Sequence, residues 1–279
     1  MGGARLGVDV NPMEIRLLRE SDIAAAMGLK RAAGWNQTEA DWRTLLQHEP
    51  NGCFAAVLDD QLVGTTTTTC YGSELAWIGM VLVRPDQRRK GIATKLLETA
   101  LKYLDAKVST VKLDATADGK HVYERIGFEV ESLIERWSRS GEHVRFKADP
   151  QTIDDQMLQL DREVFGADRS RLLKMLFASS LVRTTRAGYA LARSGSDAAY
   201  VGPVVTREQS APVELLDQLL EALHPSPVYV DLNRNRGDDG PRLLSERGFA
   251  KQRNLMRMKR GPAIPTSPLI FAIAGPEVG

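Results

Sequence analysis

The run Arg88-Arg89-Lys90-Gly91-Ile92-Ala93-Thr94 sets three positive charges and a glycine at the mouth of a helix. An apolar stretch, Val81-Leu82-Val83, leads into it, and Arg84-Pro85-Asp86-Gln87 turns the chain between the two. A strand that passes through a turn directly into a helix leaves several backbone N–H groups pointing outward, where the helix dipole favours negative charge. Gly91 lets the main chain approach a ligand closely. The ligand that suits such a cradle is a pyrophosphate. The loop is not a Walker A loop, because G-x-x-x-x-G-K-[ST] is missing, nor the dinucleotide fingerprint G-x-G-x-x-G.

The flanking elements must hold this loop in place. Leu75 to Val83 reads as a buried strand. Ile92, Ala93, Leu96, Leu97, Ala100, Leu101 and Leu104 fall at helical spacing, and Val108 to Ala115 reads as the next strand. A short helix over His121-Val122-Tyr123-Glu124-Arg125-Ile126 is closed by Gly127 at its C′ position, and Phe128 opens a further strand. Met13-Glu-Ile-Arg-Leu-Leu-Arg reads as a first strand, which makes residues 1–12 a loose N-terminal extension.

Two of these motifs carry a family resemblance. Arg88-x-x-Gly91-x-Ala93 resembles the coenzyme A loop of the GNAT N-acetyltransferase superfamily, Q/R-x-x-G-x-G/A, which lies between that family's fourth strand and third helix. Tyr123-Glu-Arg-Ile-Gly-Phe128 is similar to the Y-x-x-x-G-F element after the fifth strand. The two occur in the family's order, about 30 residues apart, and the resemblance covers residues about 13 to 146.

The second half is a worn copy of the first. Val201 to Leu223 repeats the strand, turn and amphipathic helix of Ile78 to Leu101, and Leu244-Ser-Glu-Arg-Gly-Phe249 echoes Tyr123 to Phe128. Each echo follows a strand with a central aspartate, Asp114 or Asp231. In the second copy the loop is Arg207-Glu-Gln-Ser-Ala-Pro-Val213, without glycine and with one donor removed by Pro212, and Leu244 stands where Tyr123 stood. The layout resembles a GNAT subfamily with a degenerate C-terminal GNAT-like domain. The implied fold class is α/β (α+β): two tandem GNAT-like domains, each a mixed, mostly antiparallel twisted sheet flanked by helices. The expected division is an extension over 1–12, a catalytic domain over 13–146 and a degenerate domain with a docked tail over 147–279. The second domain is expected to extend the fold, wall the substrate pocket or form a homodimer, and not to bind coenzyme A as the first does.

The resemblance implies acetyl-CoA as co-substrate, no metal, and attack of a primary amine on the thioester. By the same resemblance the backbones of Met80, Val81, Leu82 and Val83 hold the pantetheine arm, and one of their N–H groups stabilises the oxyanion. The amides of Arg89, Lys90, Gly91, Ile92, Ala93 and Thr94 cradle the pyrophosphate, with the side chains of Arg88 and Lys90 reaching phosphates. Tyr123 matches the family's general acid, and a phenol near pKa ~10 suits a leaving thiolate. The general base stays open. Glu74 precedes the fourth strand, and Asp114 sits on the next one. A third choice is the Gly279 carboxylate, since in tandem aminoglycoside acetyltransferases of the enhanced-intracellular-survival family the chain terminus takes the basic role. Trp35 and Asn36 fall in the acceptor segment, where Trp35 offers an apolar wall or a cation–π face, while Trp42 reads as core. The run Thr65 to Thr69 suits a strand, with alternate residues on the pocket side.

Composition narrows the partners. The chain has 279 residues and is 43% hydrophobic, enough for two ordinary domains. A formal net charge of +1 points to neither nucleic acid nor an anionic membrane. No apolar run reaches a membrane span, and the N-terminus fits neither a signal peptide nor, with Leu6 at position six, a myristoylation site. Cys53 and Cys70 are expected as free thiols in a reducing, cytoplasmic compartment, because a hairpin turning near Asp59-Asp60 pairs Cys53 with Thr67. The four histidines lack metal-ligand spacing. The expected function is acetyl transfer to a small-molecule amine. The alternatives are acetylation of a protein lysine or N-terminus, and a non-catalytic acyl-CoA sensor.

Overall fold

A computed structural model describes residues 13–142 and 146–279, so the expected N-terminal extension lies outside the described residues. The first half runs β1 (Glu14–Leu17), α1 (Ile23–Ala32), α2 (Glu39–His48), β2 (Cys53–Leu58), β3 (Gln61–Tyr71), β4 (Leu75–Val83), α3 (Ile92–Leu104), β5 (Thr110–Ala115), α4 (Lys120–Glu124) and β6 (Glu129–Arg139). The second runs α5 (Asp155–Phe165), α6 (Ser170–Phe177), β7 (Leu181–Thr185), β8 (Gly188–Arg193), β9 (Ala199–Thr206), α7 (Pro212–Ala222), β10 (Val228–Asn233), α8 (Asp239–Ser245), β11 (Ala250–Arg260) and β12 (Ile270–Ala272). The β4–α3–β5 unit is thus repeated as β9–α7–β10.

Local chemistry explains the elements that matter for the site. Asp59 and Asp60 take φ of 48° and 59°, the left-handed pair that a tight hairpin turn needs. The resulting β2–β3 register sets Cys53 opposite Thr67, as the sequence implies, so the two cysteines remain free. Burial pushes both thiols up to about 12, which leaves them unreactive near neutral pH. Helix α2 is closed by a capping box between Thr38 and Asp41. Helix α3 buries Ile92, Leu96, Leu97, Ala100, Leu101 and Leu104 against β2, β3 and β4. Each such side chain contributes about 1.5–3 kcal/mol, and together they hold the N-terminus of α3 at the end of β4.

Among the described residues the strands form one sheet in the order β1-β2-β3-β4-β5-β11-β6-β10-β12-β9-β8-β7. Neither half is completed by its own last strand. The first half's β5 pairs antiparallel with β11, and the second half's β10 pairs antiparallel with β6. The exchange is reciprocal at the two central aspartates. Asp114 lies opposite Arg257 and Asp231 opposite Arg136. Each pair is bidentate and buried, at 2.9 and 2.9 Å for Arg257–Asp114 and 2.8 and 2.5 Å for Arg136–Asp231.

One face of the first half's sheet packs on α3 through Ala76, Ile78 and Leu113. The other face belongs to a core shared by both halves, with Trp42 and Leu45 of α2, Tyr71 and Trp77, Leu172 and Leu173 of α6, and Val278. The chain's last residues therefore belong to the first half's core, as a docked tail.

Candidate active site

Strand β4 is bent at the point where the chemistry is expected. Thr65 pairs with Leu82 and Thr67 with Gly79, so Met80 and Val81 together oppose Thr66. Met80 takes φ of 50°, the mark of a bulge in a non-glycine residue. The extra residue reverses which side chains face which way. Before it, Trp77 faces the shared core and Ile78 the α3 side; after it, Leu82 faces the shared core and Val81 and Val83 the α3 side. Threonines of β3 brace the bend, with Thr65 Oγ1 donating to the Met80 carbonyl at 2.8 Å.

Beyond the bend the sheet opens. Strands β4 and β5 pair in parallel only at Leu75, Ala76 and Trp77. From Ile78 onward β4 has no strand partner on that side among the described residues, so its backbone polar groups are available to an extended ligand. The loop after β4 puts Arg89 at φ 62° and Gly91 at φ 79°, and α3 starts at Ile92. The first helical hydrogen bond to the loop is Lys95 N to Gly91 O, at 3.1 Å. The amides of residues 89–94 have no protein acceptor among the described residues. Successive free amides at a helix N-terminus form an anion cradle. Arg88 folds back onto the Val83 carbonyl (3.2 Å) and Lys90 onto Gln87 (2.9 Å), both exposed. The cradle is therefore mainly main-chain, with cations at its rim. A Cβ at Gly91 would meet no atom within 4 Å, so the left-handed backbone, not space, demands glycine there. Gly91→Val is expected to weaken coenzyme A binding roughly tenfold or more, since the backbone strain is on the order of 1–3 kcal/mol and distorts the cradle. Calorimetric titration with coenzyme A checks it, and the melting temperature of the full chain is expected to fall only slightly.

Across the opening stands Tyr123 on α4, the helix that follows β5. Its ring lies edge-on to Phe128, with centroids 6.2 Å apart, in the same apolar cluster as Val81 and Val83. The hydroxyl has no protein partner among the described residues, and burial alone pushes its pKa up to about 12. It is a held proton throughout the neutral range.

Other predicted residues lie elsewhere. Glu74 sits in the exposed turn before β4, bonded to Ser73 Oγ at 3.1 Å. Six residue steps along the strand, roughly 20 Å, separate it from Met80. It marks the closed end of the β4–β5 pair and is not placed to act as a base. Asp114 is committed to Arg257, whose guanidinium stacks 4.5 Å from the Trp77 ring. Asn36 is not free for a substrate. Its Nδ2 donates to Ala198 O at 2.9 Å, and its Oδ1 accepts from Asp197 N and Ala198 N at 2.9 and 3.1 Å, clamping the α1–α2 loop to the β8–β9 turn. Trp35 packs half-buried on the shared core, and Trp42 is core, as its sequence setting implies. The terminal carbonyl of Gly279 accepts from Arg169 Nη1 at 2.9 Å and Ala274 N at 3.0 Å, and Arg169 in turn is paired with Asp161. Gly279 is buried against the Trp77 ring and held there by these bonds.

The tail brings a different carboxylate, one that sequence reasoning does not single out. Trp77 Nε1 donates to Pro276 O at 3.0 Å and Tyr71 Oη to Val278 O at 2.7 Å. Between these anchors Glu277 crosses Gly79, where an added Cβ would fall 2.6 Å from Glu277 O and 2.7 Å from its Cα. The Glu277 side chain is buried, with Oε1 3.0 Å from Arg193 and Oε2 accepting from Gln37 at 2.8 Å. Burial raises its pKa above the usual carboxylate value, against the opposing pull of Arg193. The one sequence signal is that Glu277 is the sole charged side chain from Leu269 to Gly279.

The second half repeats the opening and closes it. Strands β9 and β10 pair in parallel only at three positions, from Ala199–Val228 to Val201–Val230. Strand β12 then fills the gap, bonded to both. Arg236 adds a plug, donating to Pro268 O and to Gln209 O of the loop before α7, and stacking 5.2 Å from Phe271. Leu244, in the place of Tyr123, is wholly buried.

Two acetyltransferase (GNAT) models match this chain in tandem, at residues 22–128 and 157–268, and between them take in most of it. The chain belongs to the GNAT acetyltransferase family. Among its relatives are the uncharacterized N-acetyltransferase YitH of Bacillus subtilis, 24% identical over 85% of this chain and 88% of that protein, and the holothin acyltransferase of a Pseudoalteromonas species, 23% identical over 82% of each. The fold is shared with an acetyltransferase structure from Pyrococcus horikoshii, which covers both chains completely at a TM-score of 0.85 and 21% identity. It is shared too with a GCN5-related N-acetyltransferase from Sphaerobacter thermophilus, at 0.64 and 14% over 91% of this chain and 97% of that one. Acyl-CoA-dependent acetyl transfer is the general chemistry of such GNAT domains, and no helix among the described residues is long and apolar enough to cross a membrane.

Proposed function

We propose that the first half binds acetyl-CoA and passes its acetyl group to a primary amine of a small molecule by direct attack. The observation that carries this reading is the asymmetry of the two openings. Among the described residues the one beside β4 keeps a free strand edge, six unpartnered amides and an unpaired tyrosine hydroxyl, while its copy beside β9 is filled by the chain itself.

In this reading the amides of residues 89–94 hold the pyrophosphate and the open edge of β4 aligns the pantetheine arm. The bend at Met80 turns an amide toward the thioester oxygen, where one such donor is worth about 2.7–4 kcal/mol of barrier. The neutral amine forms the new C–N bond, the C–S bond breaks, and Tyr123 passes its proton to the departing thiolate. The amide nitrogen sheds its own excess proton, through water, back to the phenolate.

The closure of the acceptor side favours a small amine over a protein lysine. The β4 face opposite α3 is covered by α1, α2, α6 and the tail, which leaves little room for a folded protein's loop. The holothin acyltransferase among the relatives is named for holothin as its acceptor, not for a protein. The unpaired Tyr123 hydroxyl weighs against a pure acyl-CoA sensor, which needs no acid.

Tyr123→Phe tests the assignment. Thiol release from acetyl-CoA is expected to fall roughly 10²-fold, the usual scale of acid–base assistance, with coenzyme A affinity unchanged. Unchanged turnover would remove Tyr123 from the mechanism.

A further inference from the structure

Glu277 reaches the bend in β4 from the side opposite α3, beside a buried amide oxygen of Gln37 that no described residue answers. Facing it are Arg193 from β8, Asp41 from α2, Gln37 from the α1–α2 loop, Tyr200 from β9 and Arg136 from β6, around a crevice of about 10 Å³, the space of one water. Arg193 bridges two carboxylates, Asp41 at 3.2 Å and Glu277 at 3.0 Å, while Arg136, which also faces Glu277, is paired with Asp231, and the buried Lys30 acts on Asp41. The second oxygen of Asp41 is committed as well, accepting from Thr38 N and Thr38 Oγ1 at 2.7 and 2.9 Å in the cap of α2. Gln37 is incompletely answered: its Nε2 donates to Glu277, while its Oε1 is buried with no protein donor among the described residues. A buried carboxylate and an unanswered amide oxygen, side by side, form a pair of acceptors that an ammonium group fits.

We infer that Glu277 takes the proton of the attacking amine, and that the crevice between Glu277 and Gln37 ends the route by which a cationic amine reaches β4. This rests on the acetyltransferase reading above and deepens it. The substrate enters as R–NH₃⁺. One proton passes to a Glu277 oxygen, directly or through the crevice water, and leaves the nitrogen lone pair free to attack. Glu277 then releases that proton to solvent, and the second proton lost by nitrogen ends on sulfur by way of Tyr123. A base in this position needs a pKa nearer neutrality than an exposed glutamate has, and burial together with the nearby Asp41 charge shifts Glu277 in that direction.

The test uses the full chain with acetyl-CoA and a panel of spermidine, tyramine, lysine and glucosamine, following thiol release and amine acetylation between pH 5 and 9. With the best amine, wild-type kcat/KM is expected to fall on the acid side as Glu277 protonates. Glu277→Gln is expected to lower kcat about 10²-fold and flatten that acid limb, with coenzyme A affinity within twofold of wild type, and Glu277→Asp to recover part of the rate. Gln37→Leu is expected to raise the amine KM several-fold and leave coenzyme A affinity alone; this variant decides the question if Glu277→Gln does not fold. Glu277→Gln within threefold of wild type, an acid limb that survives the substitution, or an amine KM unmoved by Gln37→Leu would each overturn the assignment. A wild type that binds coenzyme A yet acetylates nothing in the panel would instead overturn the acetyltransferase reading, a separate outcome.

Discussion

Residues 1–146 produced alone are expected to give no cooperative unfolding transition and no coenzyme A binding, even though every residue of the cradle is present. The reason lies in the strand order. Without the second half, β5 loses the strand that pairs with it from Val111 to Ala115, and Asp114 loses the guanidinium of Arg257. Strand β6 loses both neighbours, β11 and β10. Tyr71, Trp42 and Trp77 lose the α6 and tail residues of the core they share. A sheet edge that ends in a bare buried carboxylate is a route to aggregation rather than to a stable domain. Circular dichroism through a urea titration checks the expectation, and co-expression with residues 147–279 is expected to restore both the transition and ligand binding. A soluble, cooperatively folded fragment would show that the exchanged strands are dispensable.

Arg257→Ala is expected to be among the most destabilising single changes in the chain, at about 3–5 kcal/mol, because it strands Asp114 as an uncompensated buried charge. Domains of ordinary size unfold at about 5–15 kcal/mol, so this is a large share of the whole. The loss has a predictable pH dependence. Burial already raises the Asp114 carboxyl above its unfolded value, and removing Arg257 takes away the chief opposing influence. A carboxylate whose folded pKa lies above the unfolded one destabilises when ionised, so the penalty is present at neutral pH and shrinks as pH falls through the folded value. Urea midpoints at two pH values measure it. Replacing both partners, Asp114→Leu with Arg257→Met, is expected to regain most of the loss, since an apolar pair strands no charge.

Much of the first half is legible because its local signals agree. The helix of Ile92 to Leu104 is found where helical spacing puts it, and the buried strand of Leu75 to Val83 falls at the expected residues. The Asp59-Asp60 turn fixes the Cys53–Thr67 register through a backbone preference that two residues carry by themselves. The repeat is legible too, because α7 and β10 keep the spacing of α3 and β5 while the loop has lost its glycine.

The exchange of β6 and β11 is not legible, since both strands carry similar patterns and each is compatible with either neighbour. Its only mark in the sequence is the matched set Asp114, Asp231, Arg136 and Arg257, and complementary charge has no direction until the register is known. Glu74 suggests itself by its closeness in sequence to β4, but a strand carries residues apart at about 3.3 Å each, and Glu74 lies at the wrong end. Glu277 is hidden behind the terminal carboxylate because which part of a tail meets the bend depends on anchors far away, at Tyr71, Trp77 and Arg169. Asn36 reads as a pocket residue because its loop is correctly located, while its partners lie some 160 positions downstream.

The closing segment from Ile270 to Gly279 couples two fates in one ribbon. Its beginning stops the groove beside β9, and its end gives the proposed working groove beside β4 a wall. A chain shortened by a dozen residues would therefore unseal the former and strip the latter at a single stroke, so drift at this terminus cannot revive one copy without disarming the other.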